Sequence, residues 1–381
     1  MNPGLKHLAM LALAILLLLS MVRAASIEVE PGESIQAAIN GAGPGDSILV
    51  SGGAYKESLN ISKPLSMVGI DRPQIDGGSR GCTILLYADG VVVSGFEIKS
   101  TRRTGIYLRS DGNTLRNNTI SGCLDGIFLD RSSSNTIAFN DINNNSNGIF
   151  LFSSYGNVVS NNSIHDNYID EESDCGIALV CSQDNIIQNN HLMNNGDSSL
   201  SLRSSGNNAI LENHITSNDW NGMSLTESSN KNLVERNNVS ENKDAGIYLD
   251  SSQENIIRYN SAWNNSRGVL LSYDSNDNLL QSNSLTTNGK GVHLSSHSSN
   301  NTIENNTAIE NEYGIYLSFS CGWNLIFANH LLGNGYNAYD LGKSNRWDNG
   351  TTGNYYSDLG KTFYIPGGPG VDRHPSAEPQ I

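Results

Sequence analysis

The densest group of chemistry-bearing side chains is His165-Asp166-Asn167-Tyr168-Ile169-Asp170-Glu171-Glu172-Ser173-Asp174, which holds five carboxylates in ten residues. Carboxylates that converge can supply the acid and base for glycosidic chemistry, while the same residues left apart make only a solvated loop. Histidine is the other reactive type, and its eight copies are scattered. His191, His214 and His330 stand singly, and His293 with His297 is the nearest pair. Copper asks for clustered His, Met or Cys. The spacing supplies no such set, so no metal and no cofactor is expected.

Aromatic residues are few, yet they recur in step. A G-φ-x-L motif begins at Gly105, Gly126, Gly148, Gly176, Gly222, Gly246, Gly268, Gly291 and Gly314, with Ser199 filling the one gap. Two residues after each start lie Tyr107, Phe128, Phe150, Ala178, Ser201, Ser224, Tyr248, Leu270, His293 and Tyr316; four after lie Arg109, Asp130, Phe152, Val180, Arg203, Thr226 and Asp250. Outward aromatic rings can seat sugar faces while polar neighbours read hydroxyls, although cross-strand aromatic pairs also stabilise a sheet by themselves. The candidate ligand-binding residues are therefore Tyr107, Phe128, Asp130, Phe150, Phe152, Asp166, Asp170, Glu171, Glu172, Asp174 and Arg203. No catalytic residue is assigned.

What could hold these residues in columns? The steps between motifs run from 21 to 24 residues, except for 28 between Gly148 and Gly176, where the acidic segment is inserted. Each motif is followed by N-x-φ-x-x-N-x-φ, ten times in all. One Asn column runs from Asn113 to Asn324, a second from Asn118 to Asn329, and a third from Asn145 to Asn334 with Cys123 in its first place. Apolar residues alternate inside each unit, as strands with one buried face require. A unit of that length makes three short strands and three turns, and identical units stack. Asn suits the turns because it tolerates left-handed φ, and its amides can form ladders between coils. A leucine-rich repeat would need a convex segment and a single Asn column. The expectation is an all-β, right-handed parallel β-helix of about twelve coils with a short N-terminal capping helix.

The ends differ from the middle. Residues 1–24 read as a signal peptide: Lys6 and His7, an apolar run from Leu8 to Met21, then Val22-Arg23-Ala24. Residues 25–80 form an N-terminal cap and first strands, with Ile35, Ala38 and Ile39 on one helix face. The regular coils occupy 81–345, and 346–381 form a C-terminal cap and tail. The five cysteines occupy unrelated positions, and a disulfide framework is not expected. With 23 basic against 38 acidic residues and a net charge of −15, nucleic acid is a poor partner. The chain reads as exported, to the cell surface, the extracellular space or the periplasm, with no membrane span after signal cleavage.

Ser34-Ile35-Gln36-Ala37-Ala38-Ile39, Gly45-Asp46-Ser47-Ile48-Leu49-Val50, the Asn-rich coils and Gly353-Asn354-Tyr355-Tyr356-Ser357-Asp358 resemble the NosD-like family, the "periplasmic copper-binding protein" β-helix domain of the wider carbohydrate-binding and sugar-hydrolase group. The resemblance spans nearly all of the chain beyond the signal peptide. It implies an exported module that binds a polysaccharide, a surface glycan or a protein partner. It also implies two alternatives: a polysaccharide hydrolase, lyase or epimerase, and an accessory factor for metalloenzyme maturation. The motif sets of pectin hydrolases and the epimerase D-P-H motif are missing. Between Asp358 and Phe363 stands only Leu-Gly-Lys-Thr, where relatives often carry an Asp/Gly-rich stretch, so no metal role is carried over.

Overall fold

A computed structural model describes residues 24–79, 81–168, 174–358 and 363–378. The signal segment up to residue 23 and the acidic residues Asp170, Glu171 and Glu172 lie outside the described residues. Among the described residues, three parallel sheets of 14, 13 and 14 strands wind around one core. The first sheet opens with Ser26–Val29, the second with Leu59–Ile61 and the third with Ala54–Tyr55. Each coil gives one strand to each sheet, and the coils number about 14 rather than the twelve expected. The excess lies at the ends. Ser26–Val29 pairs in register with Ser47–Val50, which pairs with Ser66–Gly69, so the N-terminal segment already winds as coils.

Register follows from the alternation. In the second sheet Ile106, Ile127, Ile149, Ile177 and Leu200 are Cα partners in turn, and all are buried. A slip of one residue would send every one of them to the outer face. The three Asn columns line the three turns of the coil. Asn135 shows the bonding: its backbone N–H and its amide nitrogen both donate to Asn157 Oδ1, at 2.9 and 2.8 Å. A fourth polar stack, of serines, was not foreseen: Ser132, Ser154, Ser182 and Ser205 each accept from or donate to the next coil through hydroxyl and backbone.

Left-handed φ is not what selects the ladder asparagines. In the second column that conformation falls on the residue just before each Asn, whatever its type, including Phe139 (58°), Arg236 (56°) and Tyr259 (57°). The amides are retained because they turn inward and satisfy buried backbone N–H groups of the preceding coil.

Both ends are closed. Helix α1, Ile35–Gly41, has Ser34 as N-cap, accepting from Ala37 N–H, and covers the first coil with Ile35 and Ile39. At the other end Trp347, Tyr356 and Ile365 fill the core. Trp347 Nε1 donates to Asp340 Oδ2 at 2.9 Å, and the Tyr356 hydroxyl donates to Asp372 Oδ2 at 3.1 Å. No helix among the described residues is long and apolar enough to cross a membrane.

Candidate functional site

The second sheet carries the candidate face. Its strands alternate so that the residues two and four after each glycine point away from the core. Tyr107, Phe128 and Phe150 therefore line up one coil apart, half-buried. The ring centroids of Tyr107 and Phe128 are 5.2 Å apart and edge-on, and those of Phe128 and Phe150 are 5.0 Å apart and stacked. Phe152 takes the place beside Asp130 on the next coil. At the N-terminal edge of this line lies a cleft of about 340 Å³, bounded by Leu85, Tyr87, Arg103, Tyr107 and Leu124.

The polar candidates are engaged. Asp130 accepts from the Tyr107 hydroxyl at 2.7 Å, and Arg109 Nε stands 3.6 Å from the same carboxylate oxygen. Burial, then this bond to Asp130, pushes the Tyr107 phenol up to about 12. Arg203 Nε donates to Glu227 at 2.8 Å. Asp130 and Arg203 are three coils apart through Phe152 and Val180, about 14 Å at the spacing of parallel strands.

Of the acidic candidates, Asp166 and Asp174 are among the described residues. Asp166 follows a strand of the third sheet and accepts at 2.7 Å from His165 Nδ1, while His165 Nε2 is 3.1 Å from Asp141. Asp174 is buried just ahead of Cys175–Val180, near Asp125, whose carboxyl is raised by burial first and by the Asp174 charge. The structure thus unites Tyr107, Phe128, Asp130, Phe150 and Phe152, sets Arg203 two coils beyond Phe152 on the same column, puts Asp174 at the start of a strand of the same sheet, and places Asp166 after a strand of the third sheet.

Two features escaped the sequence reading. His191 and His214 are not single: they are Cα partners on the third sheet, with ring centroids 5.0 Å apart. Their spacing of 23 residues, one coil, was the available signal. Second, the column just before each glycine, buried at Cys175, Asn221 and Ala245, becomes accessible towards the C-terminal end, where Arg267, Lys290, Tyr313 and Tyr336 are successive register partners. The neighbouring column continues with His293, Tyr316 and Tyr339.

His293 is half-buried here. Burial, then the Lys290 and Arg267 charges, hold its imidazole down at about 3. As pH falls below the ordinary imidazole value near 6.5, the unfolded chain gains a proton that the folded one refuses. Stability therefore falls with pH, by about 1–2 kcal/mol from pH 6.5 to 5. Urea midpoints of the parent and of His293→Gln check this. The variant should lose that much less, and an identical fall in both would refute a neutral imidazole.

Three in-register parallel sheets around a single core make this a right-handed parallel β-helix protein. The family model for the right-handed beta helix region matches residues 82–239, and the model for periplasmic copper-binding protein (NosD) matches residues 221–360. Together the two models span residues 82–360, in agreement with the resemblance to the NosD-like right-handed β-helix family. Among curated proteins none matches this chain.

Solved structures resemble it at the level of fold. The Dettilon tailspike protein gp208 is 15% identical with a TM-score of 0.60, over 76% of this chain and 61% of the tailspike. The A-module of the Azotobacter vinelandii mannuronan C-5 epimerase AlgE6 is 16% identical with a TM-score of 0.57, over 82% of this chain and 92% of the module. The PL6 family polysaccharide lyase Pedsa3628 from Pseudopedobacter saltans is 16% identical with a TM-score of 0.58, over 77% and 85%.

The family description raises copper, and the described residues offer no clustered donor set for it. Among the described residues no group of three or more His, Cys, Asp or Glu side chains could hold a metal ion. Cys123 and Cys175 are buried apart from any such group, and burial pushes their thiols up to about 12. His165 has both ring nitrogens taken by carboxylates.

Proposed function

We propose that the protein is an exported, non-catalytic β-helix module that binds carbohydrate along the outer face of its second sheet. One observation carries this reading: the line of half-buried rings Tyr107, Phe128 and Phe150 beside an open cleft. The row offers apolar ring edges, and at Phe150 a ring face beside the small Ala178, to the C–H faces of sugars, while Asp130 and Arg109 stand within reach of hydroxyls. The engagement of Asp130 with Tyr107 and of Arg203 with Glu227 favours binding over turnover, because neither group is disposed as an acid or base. Export is supported by the Lys6–Ala24 pattern and by the periplasmic description of the family.

The test is a glycan array followed by titration of any glycan it identifies, with a reducing-sugar and unsaturated-product assay on the same glycan. Binding without turnover is the expected result. Phe150→Ala should weaken binding about tenfold, the loss of one sugar–ring contact. Turnover of the bound glycan would replace this reading with an enzymatic one, and an unaltered affinity in Phe150→Ala would remove the ring line from the site.

A further inference from the structure

At the C-terminal end of the same face, two columns over four coils form a compact array of cations and tyrosines. Arg267, Lys290, Tyr313 and Tyr336 make one column, and His293, Tyr316 and Tyr339 continue the other. Tyr313 stacks on Tyr336 at 5.1 Å and Tyr316 on Tyr339 at 5.6 Å, and Tyr313 meets Tyr316 edge-on at 5.0 Å. Tyr336 is exposed at the open end.

The charges in this array are not balanced as they are elsewhere on the face. Arg109 has Asp130 and Arg203 has Glu227. Arg267 is bonded to Asp244 through one terminal nitrogen, and its Nε is buried without a partner. Lys290 sits on the next coil with its ammonium 5.7 Å from the centre of the Tyr313 ring and 5.1 Å from that of Tyr316. Among the described residues no carboxylate lies within ion-pairing distance of Lys290; Glu312 is the acid that acts on it from farther away. Beneath them His293 bonds Ser318 Oγ through Nε2 at 2.9 Å and leaves Nδ1 buried and unpartnered.

Two cations on adjacent coils thus share a single bonded carboxylate, and two buried ring or guanidinium nitrogens have unspent hydrogen-bonding capacity. Burial, then repulsion from Arg267, lowers the Lys290 ammonium, while Glu312 opposes that shift. An arriving anion would relieve the repulsion, and the tyrosines beside it would receive an apolar ring face.

We propose that this array is a subsite for an acidic sugar. The carboxylate of a uronic acid residue lies against Lys290 and the edge of Arg267, and the sugar ring packs on the Tyr313–Tyr336 pair. This rests on the carbohydrate reading above and narrows it to polyuronates. In a chain with a net charge of −15, such a site selects its ligand by local charge, against the sign of the whole molecule.

The experiment titrates the full chain with polygalacturonate and with neutral galactan of matched length, at low and high salt. The expected result is about tenfold tighter binding of polygalacturonate at low salt, with the preference lost in Lys290→Gln and in 0.5 M salt. Tyr336→Ala should weaken both ligands, because the ring contact does not depend on charge. Thermal melting confirms that Lys290→Gln, a partly exposed substitution, remains folded. Equal affinity for the two polymers, or a preference that survives Lys290→Gln, overturns the acidic-sugar subsite. Binding of galactan alone leaves the carbohydrate reading standing and this one refuted. If neither polymer binds, the subsite is refuted, while the glycan array decides separately for the carbohydrate reading.

Discussion

Asn260→Ala is expected to lower the stability of the coils by about 2–5 kcal/mol, the cost of four lost buried hydrogen bonds and of a backbone N–H left without a partner. Asn260 Oδ1 accepts from the backbone N–H and the side-chain amide of Asn237, at 2.9 and 3.0 Å. Its own amide donates to Val234 O at 2.9 Å and to Asn283 Oδ1 at 3.0 Å. Alanine removes all four bonds where water does not enter. The backbone N–H of Asn237, whose acceptor is Asn260 Oδ1, accounts for most of the loss. Hydrogen exchange, read coil by coil, is the suitable measurement, because a solenoid opens locally before it unfolds as a whole.

A second variant separates bonding from volume. In Asn260→Asp the carboxylate still accepts from Asn237 but faces Val234 O and Asn283 Oδ1 with no proton to give. Its charged form is disfavoured, so its pKa rises above the ordinary value near 3.9. The penalty is then largest at neutral pH and shrinks on acidification toward about pH 4, where the protonated acid donates again. Protection in Asn260→Ala within about 0.5 kcal/mol of the parent would show that the ladder is decoration, since surface substitutions usually stay in that range.

The fold was legible because the repeat states each constraint about ten times over. Alternating Ile, Leu and Val set the register, and the three Asn columns marked the turns. The role of Asn was less legible. At the second column, left-handed φ belongs to the residue before the ladder Asn, and Phe139, Arg236 and Tyr259 accept it there. Propensity pointed to the right residue for a secondary reason; burial of its amide is the primary one.

The site was legible only in part. Tyr107, Phe128 and Phe150 followed from counting outward positions after glycine. Lys290 and Tyr336 did not, because the residue before the glycine is buried in coils such as those of Cys175, Asn221 and Ala245 and reaches the surface only towards the C-terminal end. Adjacency between coils was visible in principle, as His191 and His214 show. What no periodicity could reveal is which turn a carboxylate follows: Asp166 goes with the third sheet and His165, away from the ring line.

Gly291→Ala provides the strongest link between the interior of the coil and the proposed subsite. Gly291 does not have a positive φ, so its backbone alone would accept alanine, and lower unfolded-chain entropy would favour it by about 0.4–1 kcal/mol. Space decides otherwise. An alanine Cβ would lie 2.5 Å from the Gly314 carbonyl oxygen and 3.3 Å from both Ala308 Cβ and Asn311 Nδ2. That carbonyl belongs to the paired strand Tyr313–Leu317 and cannot retreat without breaking register. Overpacking of this kind costs about 1–3 kcal/mol, which exceeds the entropic gain, so the urea midpoint should fall. Because Lys290 precedes Gly291 and Tyr313 precedes Gly314, the two strands that must separate carry the cation and its ring. Binding of polygalacturonate should therefore weaken about tenfold in a variant that touches no ligand. A midpoint at or above that of the parent would mean that the glycine column is not set by close approach of the coils, and the coupling between core and face would fall with it.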